Sequence, residues 1–156
     1  MKKVYLFVLF LIINFGGLAI GNMFMGDAIS ESWYTDLNKA PWTPLGWVFG
    51  AAWTLIMLCF SWYLAELFAV REKTKLWILY AFQVLLNVSW NWVFFNQKMV
   101  TVGLVVLVLL TLIIVYFFIT FRNDRLRNAK YLLIPYITWL LIATSLNAYI
   151  LTNNQI

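Results

Sequence analysis

Four amides and a set of indoles at helical spacing are the residues of this chain that could do chemistry. Gln83, Asn87, Trp90, Asn91 and Phe94 follow an i, i+4, i+7, i+8, i+11 pattern and so share one helix face. Pro135, Trp139, Ala143, Leu146 and Asn147 form a second such face, with small Ala143 between larger groups. Gly46, Gly50, Trp53 and Met57 make a third stripe. An amide without a partner in hydrocarbon costs roughly 2–7 kcal/mol, so such faces must point away from lipid. Two uses follow. The amides can tie helices together, at about 0.6 kcal/mol per contact. Or they can close one end of a slot walled by flat rings, with the glycines and Ala143 leaving room for a large planar apolar ligand.

Other chemistries are excluded by residue type. The chain has no histidine and one cysteine, Cys59, so a histidine-based triad is absent, as is a metal site of the usual ligands. No metal and no cofactor is expected. No carboxylate lies deep in an apolar run; Glu66 sits near a run's end, within reach of Arg71. Ion-coupled pumps keep an ionisable residue in the membrane interior, and this chain offers none.

The elements that must position these faces are legible in the charge pattern. The chain is 64% hydrophobic, with a mean hydropathy of +0.85. Uncharged runs cover Val4–Gly26, Leu45–Ala65, Leu76–Gln97, Met99–Phe121 and Tyr131–Ile156. A spanning helix needs about 20 mostly apolar residues, which predicts spans over about 4–26, 45–66, 76–97, 99–121 and 131–152. The expected fold is a single-domain, all-α, five-helix membrane bundle over 1–156, since continuous apolar runs do not read as barrel strands. The connection 27–44 is the one extramembrane piece with room for structure. Thr43-Pro44 reads as a cap followed by proline at the first helical position, and Pro135 lies where a helix tolerates it. Short loops make consecutive helices antiparallel neighbours.

Lys2, Lys3, Arg71, Lys73, Lys75, Arg122, Arg125, Arg127 and Lys130 fall on one side, against Lys39 and Lys98 on the other. The positive-inside rule places the former in the cytoplasm, together with the N-terminus. The net charge of +5 is therefore a topology signal and an attraction to anionic headgroups, with no nucleic-acid partner implied. Of the nine tryptophans, Trp47, Trp62 and Trp77 suit membrane interfaces, Trp92 suits lipid or a contact surface, and Trp33 and Trp42 belong to the outer connection. Gly17/Gly21 and Gly46/Gly50 have G-x-x-x-G spacing and are equal candidates for a dimer interface, the latter pair flanking the expected cavity.

The order of three motifs then points to a family. Ser32-Trp33-Tyr34-Thr35-Asp36-Leu37-Asn38-Lys39-Ala40-Pro41-Trp42-Thr43-Pro44 resembles the W-Y-x-x-L-x-K-P-x-W-x-P-P signature of the translocator protein family, also called tryptophan-rich sensory protein or peripheral benzodiazepine receptor. Asn87-Val88-Ser89-Trp90 with Phe94-Phe95 is similar to its N-x-x-W…F-F motif. Pro135-Tyr136-Ile137-Thr138-Trp139, through Ala143-Thr144 to Leu146-Asn147, is similar to its P-Y-x-x-W-x-x-x-A-T-x-L-N motif.

The resemblance implies a homodimeric bundle in a cell membrane, with a ligand cavity beneath the outer loop. It implies binding of tetrapyrroles such as protoporphyrin IX and of isoquinoline carboxamides, and, for bacterial members, light-dependent oxidative breakdown of the porphyrin. Carried over, the pocket takes Trp33, Tyr34, Trp53, Asn87, Trp90, Trp139, Ala143, Leu146 and Asn147, with Trp53 and Trp139 as redox donors. Porphyrin transport or exchange, and porphyrin sensing through a partner, are the alternative roles. Two departures stand out. Lys39-Ala40-Pro41 displaces the loop proline by one residue, and Tyr149 is followed by no basic residue, so the cholesterol pattern of animal members is incomplete.

Overall fold

A computed structural model describes residues 2–71, 74–121, 126 and 128–155. Lys73, Arg122, Arg125 and Arg127, counted above as basic loop residues, lie outside the described residues. The elements are α1 (Lys2–Met25), the one-turn α2 (Ser32–Thr35), α3 (Gly46–Val70), α4 (Thr74–Asn91), α5 (Val100–Thr120) and α6 (Ile134–Asn153). A wide π-helical turn, Trp92–Asn96, prolongs α4, and a tight 3-10 turn, Ala129–Leu133, leads into α6. All but α2 are long and apolar enough to span a bilayer, and the described residues contain no strand. The protein is a five-span membrane bundle.

The helix ends follow local chemistry. Past α1, Gly26 takes the left-handed conformation (φ 52°) and its N–H reaches back to Asn22 O at 3.0 Å, a stop that glycine makes cheaply. Pro135 sits in the first turn of α6, where its missing N–H costs nothing. The start of α3 differs from expectation. The helix begins at Gly46 behind Leu45, and the Thr43 hydroxyl donates instead to Ala40 O at 2.7 Å, closing a turn with Thr43 N–H on the same carbonyl. Thr43 thus serves the loop: Pro41 lies in the turn that Thr43 closes, and the chain passes through Pro44 and an extended Leu45 before the helix starts.

The spans close into a ring in the order α1, α3, α6, α5, α4 and back to α1. The expectation that consecutive spans neighbour one another therefore fails once: α3 and α4 are joined by a short link, yet α1 lies between their backbones. Glycine explains the wedge. Gly17 faces Val84 and Val88, and Gly21 faces Asn91, so α1 lies close against α4; a Cβ at Gly17 would just touch the valines, whereas one at Gly21 would come within 2.6 Å of the Asn91 amide. The interior is aromatic. Phe10, Phe60, Tyr63, Phe68, Phe117 and Tyr136 are fully buried and meet largely edge to face.

Polar groups bridge the helices in this half. Asn14 Nδ2 donates to Ser61 Oγ and Tyr80 OH donates to Asn14 Oδ1, both at 2.8 Å, joining α1, α3 and α4. Gln83 Nε2 donates to Tyr136 OH at 2.9 Å, joining α4 to α6. Glu66 pairs with Lys3 Nζ at 2.6 Å; the expected partner Arg71 lies instead over the Phe121 ring. The antiparallel packing of α1 on α3 brings Lys3 to the end of α3, which the linear sequence does not display.

Candidate functional site beneath the outer loop

The connection 27–44 folds back over the other end of the bundle as a lid. Trp33 meets Phe94 edge-on, with ring centres 5.9 Å apart, and Tyr34 leans on Phe95 at 5.4 Å. Trp42 Nε1 donates to Ser145 Oγ of α6 at 3.1 Å, and its ring meets Tyr149. The firmest closure lies beyond α6. Asn38 N–H donates to Asn154 Oδ1 at 2.8 Å, and Asn154 Nδ2 donates back to Asn38 O at 3.2 Å. A Glu31–Lys98 ion pair at 3.3 Å ties the lid to the α4–α5 turn, though both side chains are well exposed.

Under the lid is a cavity of about 50 Å³, bounded by Tyr34, Lys39 and Thr43 above, Phe49 of α3, and Trp90, Phe94 and Phe95 of α4 and its π turn. From α6 come Ala143, Leu146, Asn147 and Ile150. The π turn matters here. It lets the adjacent residues Phe94 and Phe95 both face the cavity, whereas neighbours on a regular α-helix point about 100° apart. Trp90 and Phe94 lie nearly parallel, 5.2 Å apart and 16° between planes, and form one flat wall.

The wall carries buried polar atoms that no group among the described residues satisfies: Trp90 Nε1 and both amide atoms of Asn147, with Thr144 Oγ1 nearby in sequence. Asn147 is only 2% exposed. Its amide lies against Gly103 of α5, where a Cβ would come within 3.1 Å of Nδ2. Buried polar groups are normally paired, and leaving one unpaired costs about 1–3 kcal/mol. Two donors and an acceptor without partners thus lie on residues that line the cavity, beside apolar side chains and the polar Tyr34, Lys39 and Thr43. Lys39 supplies the cation, its Nζ 4.5 Å from the Tyr34 ring centre and bonded to Thr35 O. Burial pushes the Tyr34 phenol above its usual pKa, so it remains a neutral donor.

Of the residues expected here, Tyr34, Trp90, Ala143, Leu146 and Asn147 line the cavity. Trp33, Trp53 and Trp139 do not line it: Trp33 meets Phe94, Trp139 lies edge-on to Phe49 at 5.2 Å, and Trp53 lies against Tyr136 at 5.9 Å. Asn87 is half-buried on α4 and is not among the lining residues. Sequence reasoning missed Lys39, Phe49, Phe95 and Ile150 as lining residues, and took Thr43 for a cap. The polar face of α4 is shared out: Gln83 goes to Tyr136, Asn91 lies against α1, and Trp90 and Phe94 reach the cavity. Gly46 and Gly50 open outward with nothing within 4 Å, while Gly17 and Gly21 are used inside the chain. Trp47 and Trp62 are exposed as interfacial residues should be, but Trp77 is packed against Phe10 and Phe68.

A lidded bundle of five spans with an aromatic, amide-bearing cavity defines a class of small multi-pass membrane proteins. Comparison with known proteins assigns the family. Residues 7–152 match the TspO/MBR family, and the chain belongs to it. It is 33% identical to the tryptophan-rich protein TspO of Chlorobaculum tepidum over 88% of this chain and 92% of that protein. It is 33% identical to the tryptophan-rich sensory protein of Cereibacter sphaeroides over 75% of this chain and 73% of that protein. It is also 30% identical to the human translocator protein, over 89% and 84% respectively.

Proposed function

We propose that this membrane protein binds a planar carboxylated tetrapyrrole, of which protoporphyrin IX is the test compound, beneath the lid. The carrying observation is the pairing of an orphaned, buried Asn147 amide with a slot of aromatic and aliphatic side chains that has one cation, Lys39, at its roof. Flat rings on the Trp90–Phe94 wall would stack on a macrocycle, the amide would meet its polar edge, and Lys39 would pair with a carboxylate. A cavity of about 50 Å³ is far below the roughly 300–1,000 Å³ of small-molecule sites, so binding requires the lid to lift. Isoquinoline carboxamides, which also combine flat rings with an amide, are expected to compete for the same slot.

Tryptophan fluorescence titrated with protoporphyrin IX in darkness tests this reading. Saturable quenching should weaken with Ala143→Leu and Asn147→Leu, and Lys39→Met should bring the affinity for the free acid down towards that for the dimethyl ester. Linear, unsaturable quenching would reduce the interaction to partition into detergent. We further propose light-dependent porphyrin breakdown, in which excited porphyrin takes one electron from Trp139 or Trp53 and passes it to dioxygen as superoxide. The indole radical cation recovers its electron from the porphyrin, and the oxidised macrocycle combines with superoxide, so that dioxygen is the net oxidant and the indole is restored. Passage of porphyrin across the bilayer is the competing role. It is separated by flux into proteoliposomes in darkness, where photochemistry stops and transport does not.

A further inference from the structure

On the lipid-facing side, away from the lid, α4 and α5 part to leave an open groove of about 370 Å³. Its walls are Leu79 and Phe82 of α4 and Leu109, Leu112 and Tyr116 of α5, with Lys75 at one end. Leu112, Tyr116 and Phe82 are about half exposed, and Lys75 makes no ion pair among the described residues. At about 1.5 Å per residue, the groove runs roughly 10 Å along α4 from Lys75 to Phe82, from headgroup depth into hydrocarbon. The end it opens from is the basic one: Lys2, Lys3, Arg71 and Lys130 lie at the same end of the bundle, and among the described residues the acid there, Glu66, is already taken by Lys3.

We propose that this groove is a binding site for one anionic glycerophospholipid, its phosphate on Lys75 and one acyl chain along the Leu79–Leu112 trough. The charge complementarity selects the occupant. An apolar trough alone accepts any chain, but a free ammonium at its mouth, within a cationic belt, discriminates between headgroups. One lysine near the membrane surface is worth about a fivefold change in binding of an anionic lipid. The site is separate from the lid cavity and does not depend on the tetrapyrrole reading.

Native mass spectrometry of the protein released from bilayer nanodiscs holding equal phosphatidylglycerol and phosphatidylcholine provides the test. The expected result is one retained phosphatidylglycerol per chain. The phosphatidylglycerol-to-phosphatidylcholine ratio should fall about fivefold in Lys75→Gln and hold in Lys75→Arg. Leu112→Trp, which fills the trough from an exposed position, should release lipid of either headgroup. Equal retention of both lipids by the unaltered protein, or a ratio unmoved by Lys75→Gln, would overturn the site. So would quantitative disulfide crosslinking of a Leu112→Cys protein in nanodiscs, which would assign the groove to contact with a second copy.

Discussion

If ligand enters the cavity by lifting the lid, cutting the Asn38–Asn154 clasp should speed entry by a calculable amount. Asn154→Ala removes two reciprocal hydrogen bonds, of 2.8 and 3.2 Å, between the lid backbone and the end of α6. A hydrogen bond contributes a net 0.5–1.5 kcal/mol, and these lie near water, so the low end applies and their sum is about 1 kcal/mol. That shifts the open-lid population about fivefold. Because the competent fraction scales apparent binding, the association rate of protoporphyrin IX should rise about fivefold. Stopped-flow quenching of tryptophan fluorescence in darkness measures it, and hydrogen exchange of the Asn38 amide measures the lid directly. Lys98→Gln is the control: the Glu31–Lys98 pair is exposed on both sides and should alter the rate less than twofold. Faster Asn38 exchange with an unchanged association rate would refute the reasoning, and would route the ligand between helices from the bilayer.

Asn147→Leu should do two opposite things. It removes two unsatisfied buried atoms and so should stabilise the purified protein by about 1 kcal/mol, read as a higher midpoint of thermal unfolding in detergent, while weakening tetrapyrrole binding. Trp139→Phe should largely preserve binding, since Trp139 lies against Phe49 and does not line the cavity, yet slow the light-dependent loss of porphyrin absorbance; an unchanged rate would remove its redox role. Gly21→Leu should cost about 1–3 kcal/mol, because even a Cβ would sit 2.6 Å from Asn91 Nδ2. Gly50→Leu meets open space and should fold. If the homodimer that the family resemblance implies uses the Gly46–Gly50 face, that variant alone should run as a monomer in sedimentation experiments.

Span number and limits were legible because each depends only on local composition: lipid demands an uncharged run of given length, and Glu66, Arg71 and Lys98 punctuate the runs. The ring order was not legible. It depends on which helix can approach which most closely, and the Gly17–Gly21 face that admits α1 against α4 carries no sequence mark distinguishing it from Gly46–Gly50. The site was legible in part. Helical spacing put Ala143, Leu146 and Asn147 together because α6 is regular through that stretch. It grouped Gln83 with Trp90 because spacing shows that a face is buried but not against what, and α4 touches α1, α5 and, through Gln83, α6. Beyond Asn91 the π turn changes the register, which is why Phe95 joins the wall unexpectedly.

The two halves of the bundle treat buried amides differently, and that difference locates function better than the tryptophan content does. In the half away from the lid, the Asn14 amide is matched at both ends, and the Gln83 amide donates to Tyr136 even though its Oε1 stays unpaired. Those contacts fix helices to one another. Near the lid, Asn147 makes no hydrogen bond among the described residues through either atom, and the Trp90 indole N–H is likewise idle. A core selected for stability alone would carry leucine at position 147, as the expected gain from Asn147→Leu states in energy. An unpaired amide at 2% exposure, beside Gly103 and a stacked aromatic wall, is instead what a site needs if its partner arrives from outside the chain. The tryptophans are spread through lid, surface and core alike; the idle amide is the part of the site on which the proposed ligand binding rests.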